Sequence, residues 1–256
     1  MDANIIPKVT VIVATHNRPD YLFRCLLAIK LQTFKEFECI VVGDNCNYSE
    51  NVFKEFADDK RFVYFKTAII EENLGAISKN LGINKSKTDY ICYCDDDNIL
   101  LSNHVEILYN NIILSKKELV FSKLKEISFN ELSTFEILNR DLYYGIQNID
   151  KEFISNITHR DALVIIHTKE SAIKIGLWKS VNFAERSEDG DFIVRLKEHV
   201  KHEIIYLDEI TAIYYNHRPN NVRKESDSYL QSLNSLKNEI YVYPELIQKL
   251  KQKYFT

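Results

Sequence analysis

Apolar runs that read as strands alternate with helix-spaced stretches through the first part of the chain. That alternation restricts the fold more than any other feature. Lys8-Val9-Thr10-Val11-Ile12-Val13-Ala14 is a near-continuous β-branched run, as expected of a buried strand in a parallel sheet. Pro19 suits the first position of a helix, and Leu22, Cys25, Leu26 and Ile29 follow at helical spacing. The pattern continues with a strand over residues 37–42, a helix starting near Ser49 and a strand over 62–65. A helix opened by Asn73-Leu74-Gly75 and a strand over 90–94 complete it. Such a chain is expected to form an α/β domain, a parallel sheet with helices on both faces. Ligands of these sheets bind beyond the carboxyl ends of the strands.

Three polar clusters fall at those ends: Thr15-His16-Asn17, Asp44, and Asp95-Asp96-Asp97-Asn98. Three carboxylates where a buried strand stops repel one another and bind well only to cations. Hard oxygen donors of this kind suit Mg²⁺ or Mn²⁺, commonly shared with the phosphates of a ligand. An isolated acidic turn capping the next helix would look similar. The convergence of all three clusters on one sheet edge favours the cation-and-phosphate reading.

The second half is expected to hold a helix over 102–114, a short strand at Val120-Phe121 and a polar, irregular stretch over 122–160. A strand over 163–167, a helix to Ile175 and a break at Gly176-Leu177-Trp178 follow. Glu188-Asp189-Gly190-Asp191 opens another helix, and 204–207 and 212–215 read as two strands. The chain has 256 residues, 45% of them hydrophobic and 27% charged. This fits one domain: a nucleotide half over about 7–98, an acceptor and catalytic half over about 99–225, and a helical tail over 226–256. A net charge of −4 gives no basic field for nucleic acid. Five scattered cysteines without a CxxC pair read as free thiols of a reducing compartment. The start Met1-Asp2-Ala3-Asn4 does not read as a signal peptide, and no apolar stretch reaches a membrane span of roughly 18 residues. A cytoplasmic location is therefore expected.

Five motifs in this order resemble a family 2 glycosyltransferase of the GT-A fold: VTVIVATHNRP, Gly43-Asp44-Asn45, Asn73-x-Gly75-x-x-x-Lys79-Asn80-x-Gly82, Asp95-Asp96-Asp97 and Glu188-Asp189. The resemblance covers about residues 7–220. It implies a mostly parallel, Rossmann-like central sheet and an inverting transfer of sugar from a nucleotide sugar with Mn²⁺ or Mg²⁺. By the family pattern, Thr15, His16 and Asn17 flank the nucleotide base, Asp44 accepts a hydrogen bond from it, and Lys79 faces the base or diphosphate. Asp95 and Asp96 lie near the ribose and donor sugar, Asp97, with Asp95, holds the metal, and Asp189 is the catalytic base. His217 lies on the loop that closes over the diphosphate. Gly43, His16 and Lys79 depart from the frequent Asp, aromatic residue and Arg, respectively.

The resemblance also implies a nucleotide-sugar donor, with UDP favoured, and a glycan or lipid-linked acceptor in cell-surface polysaccharide synthesis. Leu230, Leu233, Leu236 and Ile240, with Lys249, Lys251 and Lys253, fit either a core-packing helix with a solvated tail or weak association with the inner membrane face. Two other activities are open to the chain. A nucleotide-sugar nucleotidyltransferase needs a glycine-rich loop after the first strand, and Thr15-His16-Asn17-Arg18-Pro19 has no glycine. A non-catalytic nucleotide-sugar-binding protein would not need both the metal and the base carboxylates. No GxGxxG or Walker A pattern is present.

Overall fold

The first strand, β1 (Val9–Thr15), is buried along almost its whole length and sits at the centre of the sheet. In the computed structural model the described residues are 6–45, 48–68, 75–128, 157–158, 161–180 and 187–216. After β1 come α1 (Pro19–Lys30), β2 (Phe37–Gly43), α2 (Tyr48–Phe53), β3 (Phe62–Lys66), α3 (Ala76–Lys85) and β4 (Tyr90–Tyr93). Then follow β5 (Ile99–Leu100), α4 (His104–Ser115), β6 (Leu119–Ser128), β7 (Ile157–Thr158), a 3₁₀ turn (Ala162–Val164), β8 (Ile165–Thr168), α5 (Lys169–Lys174), α6 (Glu188–Val200) and β9 (Ile204–Asn216).

The strand order is β3-β2-β1-β4-β8-β6-β9-β5, with β7 paired to β6. β3, β2, β1 and β4 are mutually parallel, as the alternation requires. Right-handed crossovers carry the chain outward from β1 to β2 to β3, and then back past β1 to β4. The reversal puts α1 and α2 on one face and α3 on the other. Accordingly α1 packs on α2, and α3 packs on β1 and β2. Gly82 makes the second contact close: a Cβ there would stand 2.6 Å from Ile12 Cγ2. β1 and β4 are paired neighbours, and the helices that follow β1 and precede β4 lie on opposite faces, so the strand order reverses here; at such a switch point the carboxyl ends of the strands are where ligands of these sheets bind.

β8 joins β4 antiparallel, and β6 joins β8 antiparallel. The two strands expected over 204–207 and 212–215 are one strand, β9. The acidic pair Asp208-Glu209 reads as a break, but both residues lie exposed within the strand, and Lys123 Nζ on β6 holds Asp208 at 2.7 Å. Leu163 belongs to the 3₁₀ turn, not to a strand, because Asp161 Oδ1 accepts its N–H at 2.8 Å.

The chain divides into two compact units, Met1–Ile127 with Tyr144–Tyr215, and Ser128–Tyr143 with Asn216–Thr256. Apart from Ser128 and Asn216, the second unit lies outside the described residues, as does the amphipathic stretch at Leu230 to Lys253. No helix among the described residues is long and apolar enough to cross a membrane.

Candidate active site

Each parallel strand leads into a polar residue at its carboxyl end. β1 delivers Thr15, and its Oγ1 donates to Asp96 Oδ2 at 2.6 Å, joining the ends of β1 and β4. Asn17 adopts a left-handed conformation (φ 50°), which an Asn tolerates, and turns the loop back. Its amide N–H donates to His16 Nε2 at 3.2 Å, so the ring proton sits on Nδ1 and donates to the Asp44 carbonyl at 2.9 Å. Asp44 Oδ1 accepts from Thr67 Oγ1 at 3.0 Å. Thr15, His16, Asn17 and Asp44 therefore form one connected wall.

Gly43 has a local reason. A Cβ there would collide with the Tyr64 hydroxyl and stand 2.5 Å from Ser49 Oγ, and these two groups hydrogen-bond at 2.9 Å. An Asp at this position would have to displace both.

The carboxylate turn after β4 is split by burial. Asp96, expected near the ribose and donor sugar, is 0% exposed. Its oxygens are held by Thr15 and by Arg18 Nη2 at 2.5 Å, so it fixes two strand ends and offers no surface to a ligand. Burial pushes its carboxyl up to about 7, against the pull of the Arg18 guanidinium and the Thr15 hydroxyl. Asp95 and Asp97 remain accessible, with side chains 34% and 19% exposed. Asp97 Oδ2 accepts from Arg18 Nη1 at 2.6 Å, and the Asp97 carbonyl accepts from Arg24 Nη2 at 2.5 Å.

Among the described residues no three His, Cys, Asp or Glu side chains converge as a metal cage. The donor set still fits an octahedral divalent ion held by one or two carboxylates plus the oxygens of a phosphate ligand. The Arg18 guanidinium already pairs with Asp97, 2.6 Å from its Oδ2.

Lys79 links this turn to the distant base candidate. Its side chain is 5% exposed, and Nζ lies 3.4 Å from Asp189 Oδ1, 3.6 Å from Glu188 Oε1 and 3.7 Å from Asp95 Oδ1. Burial opposes its charge, but Asp189, Asp95 and Glu188 together hold the ammonium well above its ordinary pKa. Lys79 thus faces carboxylates, not an open crevice. Ser187 caps α6 by accepting the Gly190 N–H at 3.3 Å, which puts Glu188 and Asp189 in the first turn, where the helix dipole favours anions. Burial nevertheless raises the Asp189 pKa, opposed by Lys79. Asp161 joins the cluster: burial, then the charges of Asp189 and Asp95, push it up to about 7.

Trp178 supports the cluster from beneath. It is buried, its ring stacks on Phe192 at 4.0 Å, and Lys79 Nζ lies 4.3 Å from its centroid. Asn80 fixes it by two 2.9 Å bonds to its backbone, and its indole N–H donates to Tyr93 Oη at 3.1 Å. Trp178 is thus a core residue. His217 lies outside the described residues.

Arg18, Arg24 and Asp161 were not singled out by sequence. A buried acidic turn demands a nearby cation, and Arg18, on the loop after β1, was the signal for one. Asp161 gave none, because it is brought in by the 3₁₀ turn before β8.

Comparison with known proteins gives the family. GlyA, a glycosyltransferase of Streptococcus pneumoniae serotype 4, is 34% identical over 143 residues, 54% of this chain and 20% of GlyA. The poly(ribitol-phosphate) beta-N-acetylglucosaminyltransferase TarP of Staphylococcus aureus is 24% identical over 93% of this chain and 73% of its own. The chain thus spans about a fifth of GlyA. Staphylococcus aureus TarS residues 1–349, solved with UDP-GlcNAc, shares the fold at a TM-score of 0.63 and 15% identity, over 82% of this chain and 59% of that one. The mannosyltransferase PcManGT of Pyrobaculum calidifontis, solved with GDP-Man and Mn²⁺, gives 0.57 and 13%, over 82% and 57%. The model of glycosyl transferase family 2 matches residues 10–168, and the chain belongs to that family.

Proposed function

We propose that the chain transfers a sugar, with inversion, from a nucleoside-diphosphate donor to an acceptor hydroxyl. One observation carries the reading: Lys79 Nζ ties Asp189 to Asp95 within 3.4 and 3.7 Å, so two carboxylate groups far apart in sequence meet around one ammonium. Single displacement needs this pairing, with charge stabilisation at the leaving diphosphate and a base at the attacking hydroxyl.

Asp189 is the base. Its raised pKa makes it a better proton acceptor than an ordinary aspartate. Lys79 holds it in place and keeps it ionised. Asp44, with Thr15, His16 and Asn17, lines the base subsite, and a carboxylate there can accept from the imide N–H of uracil. Asp97, with Asp95, would hold Mn²⁺ or Mg²⁺, which when bound would supply positive charge at the departing diphosphate. The first unit is the catalytic one. UDP is the favoured carrier, supported by the TarS complex with UDP-GlcNAc.

The acceptor is a glycan or lipid-linked glycan at the inner membrane face. TarP is named for poly(ribitol-phosphate), and a Campylobacter jejuni relative, 32% identical over 40% of this chain, for an undecaprenol-linked glycan. Calorimetry with UDP, CDP and GDP, each with and without Mn²⁺, tests the reading. UDP is expected to bind most tightly and to need the ion. No binding of any nucleoside diphosphate would overturn it.

A further inference from the structure

The carboxylate turn already holds a cation of the protein's own, and the two halves of that contact are unequal. Arg18 Nη2 lies 2.5 Å from Asp96 Oδ1, and Nη1 lies 2.6 Å from Asp97 Oδ2. Asp96 is fixed, fully buried and bonded to Thr15. Asp97 is held through its carbonyl by Arg24, which leaves its partly exposed carboxylate facing Arg18 alone among these arginines. The Arg18 side chain itself is 40% exposed and has solvent beside it. A guanidinium keeps its charge throughout the working pH range and matches phosphate as well as it matches carboxylate.

We propose that Arg18 is a resident counter-cation that reserves the Asp97 carboxylate while the donor is absent. A divalent ion gains that oxygen when it arrives with a nucleoside diphosphate, whose phosphates draw the Asp97 arm of the guanidinium away while the Asp96 arm stays. The inference rests on Asp97 being the metal carboxylate of the proposed donor site. It makes the ion a poor ligand alone and a good one with nucleotide, and by linkage the ion must strengthen nucleotide binding by the same factor. The site would then be protected from idle occupation by free cations.

The test is Mn²⁺ affinity of the full chain without nucleotide, read from the electron paramagnetic resonance of free Mn²⁺. Removing one charge-assisted bond from Asp97 is expected to tighten Mn²⁺ binding by about tenfold or more in Arg18→Met. Because that change strands buried Asp96, the double variant Arg18→Met/Asp96→Asn removes both charges and should show the same gain. Arg18→Lys keeps a point charge and should gain less. Adding Asp97→Asn should cancel the gain. Equal Mn²⁺ affinity, within about twofold, in the parent and the double variant overturns the proposal. UDP titration of the same samples separates the two readings: if the parent fails to bind UDP with Mn²⁺, the donor site is wrong, whatever the Mn²⁺ comparison gives.

Discussion

Replacing Lys79 by Met keeps a stem over Trp178 and removes the one charge that three carboxylates share. Nζ stands 3.4 to 3.7 Å from Asp189, Glu188 and Asp95, with 5% of the side chain exposed. At an effective dielectric of about 20, each unit pair near 3.5 Å is worth roughly 5 kcal/mol. Three such terms reach the whole stability of a typical domain, about 5–15 kcal/mol. The variant therefore cannot keep the cluster fully charged, and Asp189, whose carboxyl burial already raises, takes up a proton. A loss of about 3–5 kcal/mol is expected at pH 8, the scale for removing one partner of a buried ion pair.

The sign with pH follows from linkage. Burial already raises Asp189 above its ordinary 3.8, and removing Lys79 raises it further. A group whose folded pKa is raised binds protons in the native state, so its stability is present at low pH and is lost as pH rises through that pKa. The contribution of Lys79 itself, whose pKa is raised, is lost only in alkali, above 10.5. The penalty should thus shrink between pH 8 and pH 5. Urea unfolding of the parent and Lys79→Met at both values measures it. A penalty below about 1 kcal/mol at pH 8, or one independent of pH, would show that the cluster is not held by this charge.

Asp189→Asn should bind UDP and Mn²⁺ as the parent does and lose transfer by about a hundredfold or more, measured as UDP release with acceptor. Asp44→Ala should erase the preference for UDP over CDP in calorimetry, because cytosine lacks the imide donor. Gly43→Asp should lower stability by about 1–3 kcal/mol in urea unfolding, as expected when added atoms displace the Tyr64 and Ser49 hydroxyls.

The parallel half of the sheet was legible because strands buried on both faces leave unbroken apolar runs, as in VTVIVAT and FECIVVG. The same logic placed Thr15, Asp44 and Asp95 to Asp97 at one edge. The second half was harder to read. β9 carries Asp208-Glu209 on an exposed stretch, so its polarity resembles a turn, and the extent of β6 was hidden by its alternating lysines. Within the site, residue types were readable but their partners were not. Asp96 and Asp97 are adjacent and chemically identical, yet burial gives one to the scaffold and leaves the other accessible. Lys79 reads as a helix charge, and only the reach of its side chain to the first turn of α6 makes it the bridge between the acidic turn and Asp189.

The central claim is that the Asp95–Asp97 turn and Asp189 form one ion-dependent nucleotide-sugar site with separable roles. Calorimetric titration of UDP into the parent, Asp97→Asn and Asp189→Asn, with and without Mn²⁺, tests it most directly. Ion-dependent binding is expected in the parent and in Asp189→Asn, and its loss is expected in Asp97→Asn. UDP binding that ignores the ion, or that survives Asp97→Asn unchanged, would contradict it.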